Sequence, residues 1–207
     1  MYLPEQFKPA SNDLAFELMA SHPLASLYGN DDDGAPFVTH LPLHRDTDSN
    51  PTMLLGHVAK ANPHWRYLKA RPDALAVFMG PQAFMSTRVY PDLARVPTWN
   101  YLAVHCRVRA ELIEDEAGKD RILKALIADH DPPYAAQWLA LPQEFRSKML
   151  GGIVAFKLTV LELQCKLKLN QHRPESHAAM HALYAGGNAQ EQALAAWMDR
   201  LGLNGKL

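Results

Sequence analysis

The chain has 207 residues, 48% of them hydrophobic, and 21 lysines and arginines stand against 22 aspartates and glutamates for a formal net charge of −1. That is ample apolar material for one large core, while the balanced charge argues against a broad grip on nucleic acid, which needs a basic excess to offset phosphate. Cys106 and Cys165 are far apart and outside any C-x-x-C spacing, which argues against a disulfide framework or a cysteine-based zinc site; each reads as a small buried hydrophobe in a strand.

In chain order, Ser11 or Asn12 can cap a first helix with Leu14, Leu18 and Met19 on its apolar side, ended by Ser21-His22-Pro23. Segments 24–28 and 35–41 read as strands around Asn30-Asp31-Asp32-Asp33-Gly34. That acidic cluster lacks the terminal Glu of an EF-hand loop, so it reads as a hairpin turn. A polar loop over 45–51 leads to a strand, Thr52-Met53-Leu54-Leu55, ending at Gly56. A short helix around Trp65 and Leu68 follows, then an apolar strand over 74–79 stopped by Gly80-Pro81. Segment 82–86 reads as a further strand, with an irregular loop to Pro97, and 99–113 as the longest strand, alternating across two faces.

From Asp115 the period changes. Ile122, Leu123, Leu126 and Ile127 recur at helical spacing, and that helix ends before Asp131-Pro132-Pro133. Short helices are expected over 134–138 and 142–150, strands over 153–158 and 163–169, and Ala-rich helices over 175–184 and 190–201. Strands, inserted helices and a returning strand pair predict an α+β domain. Periodicity leaves open whether the sheet closes into a barrel. No basic region followed by an apolar run opens the chain, and no apolar run approaches the length of a membrane span. The expected location is the cytoplasm.

The most informative stretch is Gly56-His57-Val58-Ala59-Lys60-Ala61-Asn62-Pro63-His64-Trp65-Arg66. Gly56 permits close backbone approach, and His57, Lys60 and Asn62 can present N–H donors to an anion. Asn62 before Pro63 reads as a helix N-cap with free backbone N–H groups nearby, a combination that suits a phosphate. His177 and His181 share an i, i+4 spacing, but no third metal ligand is marked in the sequence, so a solvated helix face is expected there. No Gly-x-Ser-x-Gly elbow, Walker loop or paired carboxylates point to hydrolysis, and no catalytic residue can be named.

Together with Phe37-Val38-Thr39-His40-Leu41-Pro42-Leu43, Val96-Pro97-Thr98-Trp99-Asn100-Tyr101 and Lys166-Leu167-Lys168-Leu169-Asn170-Gln171-His172-Arg173, that stretch resembles the PaiB family of FMN-binding negative transcriptional regulators. Four blocks in family order, between Met1 and about Arg173, carry the resemblance. It implies a split β-barrel of the FMN-binding, pyridoxamine-phosphate-oxidase-like type with inserted and C-terminal helices. It implies a homodimer with FMN at the subunit interface. The whole of 1–207 would be one domain, with a helical insertion over about 115–150 and a helical tail over about 174–207.

The resemblance places Lys60, Asn62 and His57 at the phosphate, beside Leu55 and Gly56. Thr39, His40 and Leu41 would lie at the flavin edge, and Thr98, Trp99 and Asn100 over the ring. Lys168 and Gln171, with Arg173 as a further candidate, would come from the late segment, across the dimer. Two departures concern the run Phe84-Met85-Ser86-Thr87-Arg88-Val89-Tyr90, which lacks the family's Pro, and Gln164-Cys165, where many relatives have Gly. Three functions are compatible with these residues: a flavin-sensing regulator with DNA or a regulatory protein as partner, an FMN-dependent oxidoreductase using NAD(P)H, and a haem-binding barrel with His40, His57 or His105 as axial ligand.

Overall fold

A computed structural model describes residues 1–46, 52–92 and 94–205. The elements are α1 (Asp13–Ser21), β1 (Leu24–Asn30), β2 (Pro36–Pro42), β3 (His44–Arg45), β4 (Met53–Ala59), α2 (His64–Ala70), β5 (Asp73–Met85), β6 (Thr98–Ile113), α3 (Glu116–His130), α4 (Tyr134–Ala140), α5 (Gln143–Gly151), β7 (Ile153–Lys168), α6 (His177–Ala185) and α7 (Ala189–Arg200). Most of the polar loop expected over 45–51, and Leu93 within the loop before Pro97, lie outside the described residues.

Local chemistry accounts for most boundaries. Ser11 Oγ accepts from the Asp13 N–H at 3.3 Å at the start of α1. In the β1–β2 hairpin Asp31 Oδ1 accepts from the N–H groups of Asp33 (3.0 Å) and Ala35 (2.8 Å), and Gly34 takes the left-handed conformation at φ 82°. Asp115 caps α3 by accepting from Gly118 N at 2.7 Å. Asn188 and Glu191 form a reciprocal capping box on α7.

Three expectations are corrected. β4 does not end at Gly56 but runs on through His57 to Ala59, paired with β7 from Met53↔Thr159 to Ala59↔Ile153. β5 is one strand through Gly80-Pro81. Gly80 serves packing there, since a Cβ would lie 2.5 Å from Leu18 Cδ1 and 3.1 Å from Leu102 Cβ. The two late strands are likewise one, β7, and Val160 N donates to Thr52 O at 2.8 Å across the supposed gap.

The strand order is β2-β1-β5-β6-β7-β4-β3. β2 pairs antiparallel with β1 from Leu24↔Pro42 to Asn30↔Pro36, and two residues later His44 and Arg45 pair with Leu55 and Leu54 of β4. A single bent segment therefore belongs to both ends of the sheet and closes it on itself. Gly56 lies at that seam: a Cβ would come within 2.6 Å of Leu43 Cδ2, 3.3 Å of Phe156 Cε2 and 3.4 Å of Leu41 Cδ1.

The chain divides into two compact units, one comprising Met1–His22, Met79–Val104 and Gln164–Leu207, the other Pro23–Phe78 and His105–Leu163. The second contains the barrel seam and a small helical core of Ile127, Trp138 and Leu150 in α3, α4 and α5. Trp138 Nε1 donates to Asp120 Oδ1 at 2.8 Å, giving that buried indole its partner. In the first unit, α6 packs with α7, and Met180, Tyr184, Leu194 and Met198 are fully buried. Both cysteines are buried and free, and burial pushes the Cys165 thiol up to about 12.

Candidate cofactor site

The expected site residues fall in both units. Thr39, His40, Leu41, Leu55, Gly56, His57, Lys60 and Asn62 belong to one, and Thr98, Trp99, Asn100, Lys168 and Gln171 to the other.

In the first set Asn62 acts as the sequence suggests at a helix start, with Oδ1 accepting from His64 N at 2.9 Å. Its amide Nδ2 donates to Thr39 Oγ1 at 3.1 Å, and His64 Nδ1 lies 2.8 Å from the same hydroxyl. Side chains thus tie β2 to α2, and both ends of the Asn62 amide are engaged within the fold. The backbone is also occupied: Lys60 N donates to Gly152 O and Asn62 N to Ala59 O, each at 2.8 Å. The ring of free N–H groups expected at this corner is therefore absent at Lys60, Asn62 and His64. The exposed Lys60 ammonium, by contrast, has no hydrogen-bond or ion-pair partner among the described residues.

His57 is half-buried on β4, and burial, followed by the charge of His44, lowers its imidazole pKa below the ordinary value. That shift favours the neutral form, which can offer a hydrogen bond rather than charge. His44 is buried, with Nδ1 2.6 Å from Asp129 Oδ2. His40 is exposed and meets Ser26 Oγ at 2.9 Å across the β1–β2 pair. Leu55 is half-buried, while Leu41 is buried in the seam, leaving its backbone as the part that could meet a ligand. The space left by Gly56 is filled by Leu43 and Phe156, so this glycine serves core packing.

In the second set the alternation of β6 decides what is presented. Trp99 is 48% exposed, donates Nε1 to Gln82 Oε1 at 3.1 Å and lies 6.2 Å from the half-exposed Phe84 ring. Asn100 points inward with Leu102, Val104 and Cys106 and is fully buried. Its Nδ2 donates to Tyr184 Oη at 3.0 Å and contacts Met180 Sδ at 3.2 Å. Asn100, expected over the ring, is instead an interior group anchoring α6. Burial pushes the Tyr184 hydroxyl up to about 12.

Lys168 Nζ donates to Thr98 Oγ1 and to Trp99 O, both at 2.7 Å. Burial, then the nearby Lys166 charge, lowers its pKa. Lys166 itself is buried, donating to Tyr2 O at 3.1 Å with its Nζ 5.2 Å from the Tyr101 ring centre. Gln171 accepts from Leu169 N at 3.0 Å and donates to Leu167 O, so its amide staples the turn after β7.

Sequence reasoning missed Asn170, the one non-glycine with positive φ (60°) among the described residues. Its Nδ2 donates to Tyr90 Oη at 3.0 Å and Ser176 Oγ at 2.8 Å, and its carbonyl meets His177 Nε2 at 3.1 Å. No spacing rule marks such a residue; only the Asn side chain, the commonest alternative to Gly in this conformation, was a signal. The solvated face expected for His177 and His181 is corrected as well. His177 is buried on that carbonyl, and His181 Nε2 lies 3.0 Å from Asp199 Oδ1.

The sequence model of the family described as "Putative FMN-binding domain" matches residues 1–162. The chain belongs to this family. FMN is the cofactor that this membership assigns to it. The protease synthase and sporulation protein PAI 2 of Bacillus subtilis is 32% identical over 177 residues, covering 85% of this chain and 84% of the relative. Among solved structures, the FAD and haem binding protein of Mycobacterium smegmatis aligns with a TM-score of 0.64 at 21% identity, covering 87% of this chain and 80% of the other. The flavocytochrome Anf3 of Azotobacter vinelandii aligns with a TM-score of 0.64 at 22% identity, covering 79% and 70%. At these identities the likeness concerns the fold alone, a split barrel, with which the closed seam agrees.

The residues of this FMN-binding domain fit such a cofactor chemically. One unit offers an ammonium at Lys60 with no partner among the described residues and a half-buried imidazole at His57, and the other offers exposed flat aromatic surface at Trp99 and Phe84. Among the described residues no helix is long and apolar enough to cross a membrane.

Proposed function

We propose that this PaiB-like chain works as a single FMN-binding domain in a cytoplasmic homodimer and acts as a flavin-dependent negative regulator of transcription. The observation that carries the cofactor part of the reading is the Lys60 ammonium. It is exposed and without a hydrogen-bond or ion-pair partner among the described residues, at a corner where the Asn62 amide and the backbone N–H groups of Lys60, Asn62 and His64 are bonded within the fold. Lys60 would hold the phosphate, with His57 donating beside it. Thr39, His40, Leu41 and Leu55 would line the approach to the flavin edge, largely through backbone groups at the leucines, while Thr98, Trp99, Lys168 and Gln171 would serve the ring end. Asn62, Gly56 and Asn100 would act from behind, as supports for these groups.

The exposed Phe84–Trp99 pair supports the dimer, because two large aromatics side by side on a strand surface gain from being covered by a second copy or by the flavin ring. The near-neutral charge favours regulation through a protein partner over direct DNA contact. The test is titration with FMN and with riboflavin, following flavin fluorescence. Tight FMN binding with weak riboflavin binding is expected; equal affinities would remove the phosphate reading.

Two other activities have specific support. Bound flavin supplies redox chemistry, so turnover of NAD(P)H would identify an oxidoreductase. Both structures named above are described as haem or cytochrome proteins, and the neutral His57 imidazole could ligate iron, as could His40 or His105. A Soret band in place of flavin bands would identify that case.

A further inference from the structure

The helical insertion holds a cavity of about 280 Å³ between the first turns of α3 and α5, with Glu116, Ala117, Asp120, Gln143, Arg146 and Leu150 in its wall. All six residues belong to one unit, and none lies in the four sequence blocks proposed for FMN. The two helices are tied together at this point. Ser147 Oγ donates to Glu116 Oε1 at 2.6 Å, and Lys119 Nζ to Leu150 O at 3.4 Å. Leu150 is also part of the buried cluster with Ile127 and Trp138, so the cavity rests on packed core.

The charges in this wall differ in sign and in how far the fold uses them. Glu116 and Asp120 stand at i and i+4 on one face of α3. Asp120 is committed: Oδ1 accepts from Trp138 Nε1 at 2.8 Å, and Oδ2 lies 2.5 Å from Lys124 Nζ. Burial raises its carboxyl, but bonds from Lys124 and Trp138 and the charges of Lys124 and Arg146 bring it below the ordinary value, so it is ionised. Glu116 has only the Ser147 hydroxyl on Oε1, and its Oε2 takes no bond among the described residues. The Arg146 guanidinium has no hydrogen-bond or ion-pair partner among the described residues. Its Nε is buried, which leaves the four protons of the fork's tips for a ligand.

These charges select by elimination. A simple anion drawn to Arg146 meets the Glu116 and Asp120 carboxylates, and a simple cation drawn to Glu116 meets the guanidinium. A molecule carrying both charges close together satisfies both. An α-amino acid carries them on one carbon. Its carboxylate suits the planar fork of Arg146, and its ammonium suits Glu116 Oε2. The volume stands at the small end of ligand pockets and leaves room for a side chain against Ala117 and Leu150.

We propose that this cavity binds a free α-amino acid with an apolar side chain, Arg146 holding the carboxylate and Glu116 the ammonium. The proposal is independent of the cofactor reading, since no residue of the wall is among those assigned to FMN.

Calorimetric titration of the full chain at low salt tests it with L-leucine and two truncated forms of leucine: 4-methylpentanoate, which lacks the ammonium, and 3-methylbutylamine, which lacks the carboxylate. Saturable binding of leucine is expected, with each truncated form weaker by roughly tenfold or more. Arg146→Gln should weaken leucine by a similar factor, with Arg146→Lys intermediate because it keeps charge and loses the fork. Glu116→Gln should also weaken leucine, and by more than Ser147→Ala, which removes the bond to Glu116 but keeps its charge. Lys60→Ala should leave leucine binding in place. No saturation by leucine, equal binding of either truncated form, or unchanged binding in Arg146→Gln overturns the proposal. So does loss of leucine binding in Lys60→Ala, because the probe would then occupy the corner assigned to FMN. Should Arg146→Gln fail to fold, leucine against its truncated forms on the unaltered chain decides alone.

Discussion

The corner between β4 and α2 and the turn after β7 hold the same ingredients: lysine, asparagine and histidine within a few residues, next to a change of chain direction. In the corner the asparagine has an ordinary backbone and spans from His64 N to Thr39 Oγ1, and the exposed Lys60 ammonium has no partner among the described residues. In the turn the asparagine is buried with φ at 60° and binds Tyr90 and Ser176, while several cations crowd around a cavity. The difference teaches that an asparagine in a polar motif more readily serves the backbone than a ligand. Free charge, in contrast, has no use inside the fold. It is the lysines and arginines without partners that mark where something else can bind.

Substitution sharpens this contrast, most strongly at Asn170. Asn170→Ala should destabilise by about 3 kcal/mol, since it leaves Tyr90 and Ser176 without their donor and keeps an alanine left-handed. Asn170→Gly should recover about 1 kcal/mol of that in urea unfolding; equal losses would show that the backbone conformation carries no strain.

Lys60→Ala should leave the melting temperature in place and weaken FMN by roughly tenfold or more, the value of one charge-assisted hydrogen bond. An unchanged dissociation constant would take Lys60 out of the site. Asn62→Ala should do the reverse, lowering stability by about 1–2 kcal/mol through the lost cap while FMN affinity moves less than in Lys60→Ala. If the affinity loss exceeded that of Lys60→Ala, the two residues would have exchanged roles.

The smallest effect is that of pH. His57 and His64 are both lowered by burial, His57 also by His44. Below about pH 6.5 the unfolded chain therefore binds protons that the folded chain refuses, so stability rises with pH through that window and falls on acidification. Urea midpoints at about pH 7.5 and about pH 5.5 should show the fall, and His57→Gln should flatten it.

Much of this was legible in the residues. The Asn62 cap, the Asp31–Gly34 turn and the long β6 all follow from local rules that the structure obeys. The family's four blocks supplied the residues proposed for both ends of the candidate site. Gly80 misled because glycine and proline are read as punctuation, whereas here the missing Cβ makes room for Leu18 and Leu102, far away in sequence. Gly56 misled in the same way at the barrel seam. Asn100 was recoverable: it shares parity with Leu102, Val104 and Cys106, and a polar residue on an otherwise apolar strand face belongs to the interior. That the Arg173 guanidinium has no partner among the described residues was not recoverable, because the partners of a charge depend on tertiary neighbours that no spacing encodes.

The bent segment over residues 36–45 also has a consequence during synthesis. β1 to β4 can assemble among themselves soon after they leave the ribosome, but the other side of β4 waits for β7, with Met53 meeting Thr159. Until then the nascent chain carries an open strand edge at Met53–Ala59, a template for pairing with a neighbouring chain. α3, α4 and α5 are made in that interval. The insertion therefore lengthens the time for which the unfinished barrel stays adhesive.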